Sequence, residues 1–218
     1  LAHSEKPGYP VSWYASPVDP KTDPWAEHVI GWMDKCHNLK VADFDLDGDP
    51  DVLAGTLPNF PHEAPHHFGI YVNQHNALHW QWQELTGSGN YSAQIGDIDN
   101  DGDLDLYVVS GGNEFSMASV YLQDRLYLND GRGKFSRSKD RIPRMLASGS
   151  CVKSADIDND GDEDLFIGGR LTPGLYPIAP RSYILENDGR GYYRDVTKAK
   201  NADLLNPGMV TQALWTDF

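Results

Sequence analysis

The sequence predicts an all-β protein built from repeated four-stranded antiparallel sheets with Asp-rich loops at hairpin tips. Three observations lead to this prediction. An Asp-rich motif of nine residues occurs three times in 218 residues, each copy lies between two short apolar segments, and a further strand-like segment ending on Asn keeps the same spacing. We call the three copies loops 1, 2 and 3; they are residues 43–51, 97–105 and 156–164.

Each loop carries Asp at positions 1, 3, 5, 7 and 9 and Gly at position 6. Five carboxylates in nine residues repel one another unless a cation lies among them, and the alternate spacing turns positions 1, 3 and 5 toward a common centre. Gly at position 6 allows the sharp bend that brings the carbonyl of position 7 and the carboxylate of position 9 to the same point. Hard oxygen ligands in a flexible loop suit calcium, so the sequence predicts three Ca²⁺ sites.

The segments around each loop predict a β-hairpin and not a helix–loop–helix junction. An EF-hand needs Glu at position 12 and flanking helices, whereas position 12 is Ala54, Val108 or Ile167 here. The residues after each loop are short, apolar and partly β-branched, and those before it also resemble strands. A single acidic loop is commonly a solvated turn, but three copies in one register favour metal binding.

The repeat frame predicts four strands in each unit. The loops recur after 54 and then 59 residues, and each unit continues with a third strand that ends on Asn, a tight turn and a fourth strand. Four strands in a unit of this length are typical of a propeller blade. We therefore expect a single propeller segment over residues 1–218: a partial blade, three blades and the start of the next at 1–35, 36–90, 91–148, 149–209 and 210–218.

The ends of the sequence predict that this segment is not closed by itself. About three and a half blades are fewer than the number in a closed propeller. Open strand edges pair readily with other chains. We expect either a longer parent chain or association between copies.

Composition limits the classes of partner. The net charge is −14, and 15 of the 32 acidic residues lie in the three loops, so the acidity is largely that of the predicted metal sites. Nucleic-acid binders normally carry basic patches, and no apolar run reaches the length of a membrane span, so we expect neither nucleic-acid binding nor membrane insertion. Cys36 and Cys151 are too few for a disulfide scaffold and are expected to be free, buried thiols. Loops of this type fill where calcium is near millimolar, which predicts an extracellular or cell-surface location.

The Asp-rich loops between strands, with the Asn-Asp-Gly-Arg-Gly turns at 129–133 and 187–191, resemble the VCBS/FG-GAP repeat family of calcium-binding β-propeller blades, also seen in the head of integrin α chains. The resemblance covers nearly the whole chain. On segments 124–133 and 164–177, residues 92–218 are similar to surface proteins whose propellers accompany ASPIC/UnbV-type domains. By position, the resemblance implies as calcium ligands the carbonyls of Asp49, Asp103 and Asp162 and the carboxylates of Asp43, Asp45, Asp47, Asp51, Asp97, Asp99, Asp101, Asp105, Asp156, Asp158, Asp160 and Asp164.

The loops between the second and third strands differ most between repeats and predict a ligand face, opposite the calcium loops or near the rim. These loops are 55–67, 110–117 and 168–177. Aromatic rings beside amide and guanidinium groups suit sugars or protein loops, although Pro and aromatic residues also pack long loops down. The candidate face residues are Phe60, His66, Asn113, Glu114, Phe115, Arg170 and Tyr176.

Two further patterns leave alternatives open. His62 and His66 could ligate a transition metal, or they could simply lie in a His-rich exposed loop. Trp80 and Trp82 alternate with Gln and therefore point to one face, where they pack between blades or form a stacking platform for a sugar.

The sequence predicts a class of function and does not identify one particular ligand or reaction. The leading hypothesis is a calcium-stabilised, secreted or surface-displayed module for binding or adhesion, with a glycan or protein as its partner. The alternative is a propeller-type polysaccharide lyase or another carbohydrate-active enzyme, with His66, Tyr91, Arg170 and Tyr176 as nominal catalytic candidates. A third possibility is a purely structural part of an assembly. With the acidic clusters assigned to calcium, the sequence favours the binding module over an enzyme.

Overall fold

The computed structural model describes residues 8–56, 67–75, 77–86 and 92–216. Within them the protein is all-β, as predicted, and its strands form one two-stranded ribbon and three four-stranded antiparallel sheets. The chain divides into two compact units, the first containing the described residues up to Thr86 and the second those from Ser92 onward.

The first unit contains the ribbon and one sheet. The ribbon pairs β1 with β2, and the sheet has the order β3-β4-β5-β6, so each strand lies beside its neighbour in sequence. The second strand of the sheet is buried along its whole length, which explains its continuous apolar sequence. The strands are β1 Pro10–Ala15, β2 Ala26–Trp32, β3 Cys36–Ala42, β4 Asp51–Thr56, β5 Phe68–Asn73 and β6 Trp80–Thr86.

The core of the first unit joins the ribbon to the sheet. Val11 and Ile30 from the ribbon pack with Val52 and Tyr71 from the sheet. Trp80 and Trp82 lie against this cluster on one face, as their alternation predicts. The indole of Trp13 stacks on His28 with ring centroids 4.1 Å apart.

The second unit contains two sheets of the same meander topology. Their strand orders are β7-β8-β9-β10 and β11-β12-β13-β14. A 3₁₀ turn, Val120–Leu122, precedes β9, and a short helix α1, Thr197–Lys200, with a second 3₁₀ turn, Ala202–Leu205, follows β14. The strands are β7 Ser92–Gly96, β8 Asp105–Val109, β9 Arg125–Leu128, β10 Ser136–Ser138, β11 Ser148–Ala155, β12 Asp164–Leu171, β13 Tyr183–Glu186 and β14 Arg194–Asp195.

The two sheets of the second unit share one core. Tyr107 and Leu126 of the first pack with Leu165 and Leu185 of the second, all four essentially inaccessible to solvent. Tyr107 also meets the ring of Tyr193 edge-on, with centroids 6.2 Å apart. Burial of several large side chains at this junction is what holds the sheets together.

The structure confirms the hairpins predicted around the loops, because each loop joins the first strand of a sheet to the second. Two of the fourth strands are shorter than the predicted segments 134–137 and 192–196, since β10 and β14 contain three and two residues, whereas β6 contains seven. After β14, the Val196 amide still donates to the Ile184 carbonyl at 3.0 Å, but the Ile184 amide donates to the hydroxyl of Thr197 at 2.8 Å, so a side chain replaces one backbone acceptor of the ladder.

Cys36 and Cys151 are free, buried thiols, as predicted. In the described part of the chain, no helix has both the length and the apolar character to cross a membrane.

Candidate metal centres

The backbone of all three loops is shaped by the same hydrogen bonds. The carboxylate of position 1 accepts from the amide of Gly at position 6, as in Gly48 to Asp43 at 3.0 Å. The carboxylate of position 5 accepts from the amide of position 7, as in Asp162 to Asp160 at 3.0 Å. The glycines have φ of 94 to 96°, so the predicted bend requires the left-handed conformation that glycine adopts without penalty.

Position 4 is also left-handed, which sequence reasoning missed. Asn100 and Asn159 occupy it in loops 2 and 3, with φ of 58 and 62°, and Asn tolerates this region well. Leu46 occupies it in loop 1 with φ of 58°, and its side chain is exposed. Loop 1 therefore holds a conformation that its sequence does not favour.

The aspartate at position 9 ties each loop to its sheet. Asp164 is 1% exposed, and its two oxygens accept from the amides of Ile157 at 3.1 Å and Asn187 at 2.8 Å. Asp51 and Asp105 make the equivalent pairs of bonds. The carboxylate thus connects position 2 of its own loop to the end of the third strand.

The repeated Asn after the third strand completes this connection. The side-chain amide of Asn187 donates to the carbonyl of Glu163 at position 8, and its oxygen accepts from the amide of Asp188 in the tight turn. Asn73 and Asn129 donate to the corresponding carbonyls of Pro50 and Leu104. The sequence identified this Asn by its spacing, and the structure explains why the residue type is needed.

Among the described residues, aspartate oxygens of the loops converge in four groups that could hold a metal ion, one of which also includes a histidine nitrogen, and the atoms of each group lie within 4.8 Å of one another. Loops 2 and 3 each contribute one group from positions 1, 3 and 5. Loop 1 contributes two. The groups are Asp97, Asp99 and Asp101; Asp156, Asp158 and Asp160; Asp43, Asp45 and Asp51; and Asp47, Asp49 and His75.

Several of these oxygens are buried and accept no hydrogen bond from the described residues. They belong to Asp45, Asp97 and Asp99, and Asp103 at position 7 of loop 2, outside these groups, has such an oxygen as well. Burial, followed by the neighbouring carboxylates, raises the pKa of Asp103 to about 6, and burial raises the pKa of Asp105 to about 7. Buried carboxylate oxygens without donors fit a bound cation, because a cation supplies the missing partner and removes the repulsion.

His75 is a candidate metal-binding residue that sequence reasoning missed. Its Nδ1 lies 3.0 Å from Asp47 and 3.7 Å from Asp49. It occupies the position that Gly131 holds in the second tight turn, and its φ is 54°. The signal was present in the sequence: the first turn reads Asn-Gln-His-Asn-Ala where the others read Asn-Asp-Gly-Arg-Gly.

Loops 2 and 3 contact each other directly within the second unit. The side chain of Asn100 in loop 2 donates to Asp162 of loop 3 at 2.6 Å. The Asn187 side chain donates to the carbonyl of Ile98 in loop 2 at 2.9 Å. Arg141 pairs with Asp99 at 2.9 Å and donates to the carbonyl of Arg190 at 2.7 Å. Two candidate metal centres therefore share one hydrogen-bonded network.

The predicted ligand face is partly assembled in the second unit. Asn113 accepts from the amide of Gly174 at 3.0 Å, which brings loops 110–117 and 168–177 together. Phe115 packs on Tyr121 with ring centroids 5.5 Å apart.

The remaining candidates on this face differ in exposure. Tyr176 is 82% exposed, and Arg170 is also exposed. Glu114 folds back toward Gly112 and is partly buried. Phe60 and His66 lie outside the described residues, as do His62 and Tyr91.

The four-stranded meanders and their Asp-rich hairpin loops define an all-β protein with propeller-type blades. Residues 97–167 match the family described as FG-GAP-like repeat. The match begins at loop 2 and ends within β12, so it contains strands β8 to β11 and loop 3 but not β7.

Proposed function

We propose that the protein is a calcium-stabilised binding module in which each Asp-rich loop holds one Ca²⁺. The carboxylates at positions 1, 3, 5 and 9 and the carbonyl at position 7 are the proposed ligands in every loop. The observation that carries the proposal is the convergence of aspartate oxygens in all three loops, together with buried oxygens that have no described hydrogen-bond donor. An all-oxygen set of this kind suits calcium better than zinc or copper.

Bound calcium would act as a structural ion. It would neutralise carboxylates that burial and mutual repulsion disfavour, and it would add stability in proportion to its occupancy. When free calcium is a hundred times the Kd of a site, binding at that site adds about 2.7 kcal/mol to the free energy of unfolding. Such sites fill where free calcium is high, which supports the proposal of an extracellular or cell-surface location.

The proposed partner surface is the face formed by loops 110–117 and 168–177. The contact between Asn113 and Gly174 makes these loops one surface, and Tyr176 projects from it. FG-GAP-like repeats occur in propeller modules for binding and adhesion, which supports a glycan or protein partner. Exposed aromatic rings beside polar groups are the usual chemistry of such surfaces.

Calcium titration calorimetry and thermal unfolding test the metal proposal. We expect calcium to bind, to raise the melting temperature, and to be displaced poorly by magnesium, which demands stricter octahedral geometry. Asp99→Asn and Asp158→Asn should each weaken one site. Equal melting temperatures with calcium and with chelator would contradict the proposal.

A glycan array and a polysaccharide-cleavage assay, both in calcium, test the binding role. We expect retention of ligand without turnover, and we expect Tyr176→Ala to weaken that retention. Tyr14→Ala, which removes a partly exposed tyrosine from the first unit, is the control. Formation of new unsaturated sugar ends would instead establish a lyase.

A further inference from the structure

A cleft of about 410 Å³ lies on the second unit, and the residues that line it are outside loops 110–117 and 168–177 of the proposed ligand face. One wall is β10 with the residue that follows it, contributing Arg137 and Lys139, and the other is the segment that contains Arg144. Val120 and Ile142 add apolar surface. This volume falls in the range of small-ligand sites.

The side chain of Gln123 fixes the second wall. Its oxygen accepts from the Met145 amide at 2.9 Å, and its amide group donates to the Pro143 carbonyl at 3.1 Å. Arg144 lies between these two anchored residues. An isolated bridge from Gln123 to Leu146 extends the same attachment. The backbone that carries Arg144 is therefore preorganised and does not behave as a free surface loop.

The charge of the cleft contrasts with that of the protein. Arg137, Lys139 and Arg144 are all exposed, and none has a carboxylate of a described residue within ion-pair distance. Other cations of the same unit do have such partners: Arg141, Arg181, Arg194 and Lys200. In a chain of net charge −14, three cations that lack an ion-pair partner among the described residues therefore surround one cleft and make its local potential positive.

Asp124 also lines the cleft, but it forms no ion pair with these three cations. It is 4% exposed, and its oxygens accept from the Ser110 amide at 2.7 Å and the Tyr107 hydroxyl at 3.0 Å. Tyr107 lies in the middle of β8, and Ser110 is the residue that follows this strand. The Asp124 carboxylate therefore accepts its hydrogen bonds from the sheet beneath the cleft.

We propose that this cleft binds an acidic sugar residue, one that carries a carboxylate or sulfate group on its ring. Guanidinium groups bind both anions through paired, charge-assisted hydrogen bonds. The apolar surface of Val120 and Ile142 suits the C–H face of a sugar ring, and Ser138 offers a polar side chain at the same cleft. The inference rests on the proposed binding function and names a ligand class and a second site for it.

Calorimetry with heparin-derived and polygalacturonate oligosaccharides tests the inference, in calcium-containing buffer. These probes distinguish sulfate from carboxylate as the recognised group, and neutral oligosaccharides and inorganic sulfate are the comparison ligands. We expect at least one acidic oligosaccharide to bind, with an affinity that falls as salt is added. Equal affinity for neutral oligosaccharides, or for inorganic sulfate alone, would overturn the inference.

Substitutions locate the site. Arg137→Gln and Arg144→Gln should each weaken binding by about tenfold, because each removes a charge-assisted contact. Lys198→Gln is the matched control, since it removes one exposed charge from α1 and should leave affinity unchanged. Unchanged affinity in the double variant Arg137→Gln/Arg144→Gln would overturn the assignment of acidic-sugar binding to this cleft.

Hydrogen exchange of the unmodified protein provides a second measurement. Acidic oligosaccharide should slow exchange in residues 137–146, and protection confined to the 110–117 and 168–177 loops would contradict the cleft assignment. A result that contradicts acidic-sugar binding at the cleft can be distinguished from one that contradicts the proposed binding function. Partner binding through Tyr176 without any acidic-sugar binding would remove only this inference, and loss of all ligand binding would remove both.

Discussion

The backbone amide of Asn187 donates to the carboxylate of Asp164 at 2.8 Å, and this bond joins the end of a strand to the end of an Asp-rich loop. The pairs Asn73–Asp51 and Asn129–Asp105 have the same length. Because the bond recurs in every repeat, the aspartate at position 9 is a structural tie as well as a proposed metal ligand.

The two hydrogen bonds of the position-9 carboxylate predict that a substitution at position 9 destabilises the protein more than one at position 5 of the same loop. Asp164→Asn should lower the free energy of unfolding by about 1–3 kcal/mol in chelator, because an amide group would face one of two buried N–H donors. Asp160→Asn is the matched control: its position is exposed, and its remaining oxygen can keep the bond from Asp162. Urea unfolding measures both, and equal losses would contradict the tie.

Loop 1 should gain stability from an asparagine at position 4. Leu46→Asn should raise the free energy of unfolding by about 0.5–1 kcal/mol, because Asn adopts the left-handed conformation more readily and the exposed leucine loses no core contact. Asn159→Leu should have the opposite effect in loop 3. Thermal unfolding with chelator measures both, and a destabilised Leu46→Asn variant would refute the explanation.

The contact between loops 2 and 3 predicts unequal effects of two matched substitutions. Asn100→Ala and Asn159→Ala both place alanine at a left-handed position, but only Asn100 donates to Asp162. Asn100→Ala should therefore destabilise by about 0.5–1.5 kcal/mol more. It should also weaken calcium binding in loop 3, measured with loop 2 disabled by Asp97→Asn. An equal effect of the two alanine variants would argue against coupling.

Asp124 should make stability depend on pH. Burial raises its pKa to about 7 from an ordinary value of 3.8, so the native state holds a proton that the unfolded chain releases. Its contribution is therefore fully present below the unfolded pKa and is lost as pH rises toward the native pKa.

The change between pH 5 and pH 7 should be up to about 2–3 kcal/mol. The groups around Asp124 are Tyr107, Tyr183 and the buried Arg125. Asp124→Asn should make this part of the pH profile less steep, while the contribution of Asp103 and Asp105 remains, and Asp203→Asn, at an exposed position, should leave the slope unchanged. Denaturant unfolding at several pH values measures the difference between each variant and the parent, and an unchanged slope in Asp124→Asn would be contrary evidence.

The two thiols should report on the two units separately. Cys36 lies in the first unit, where burial raises its pKa to about 11, and Cys151 is buried in the second. Since the thiolate is the reactive form, both should be alkylated slowly by iodoacetamide until their unit opens. Mass spectrometry of each cysteine peptide measures this, and rapid labelling of the native protein would show that the thiols are accessible.

Much of this architecture could be predicted because its determinants are local. The Gly at position 6, the alternating aspartates and the Asn after the third strand are all readable at fixed spacing, and the structure forms the predicted hairpins around them. The role of position 9 could not be predicted, because its second partner lies 22 to 24 residues further along the chain. The left-handed conformation at position 4 could not be predicted for loop 1, because this position is Leu46 and leucine rarely adopts that conformation.

The cleft was missed for a similar reason. Arg137, Lys139 and Arg144 are scattered along a polar stretch, and they meet only because Gln123, an apparently ordinary residue before β9, holds the segment around Arg144. His75 was visible in the sequence, but its meaning depended on knowing that the tight turn lies against loop 1. In each case the missing information was a tertiary contact.

The double tie of each position-9 carboxylate has a consequence for ion uptake. Two backbone amides already donate to this carboxylate in the folded protein. The loop therefore loses its conformational entropy when the protein folds and not when an ion binds. If the proposed sites bind a cation, that cation would meet a receptor of fixed shape, and selectivity among ions of different radius would depend on the sheet framework as much as on the ligands.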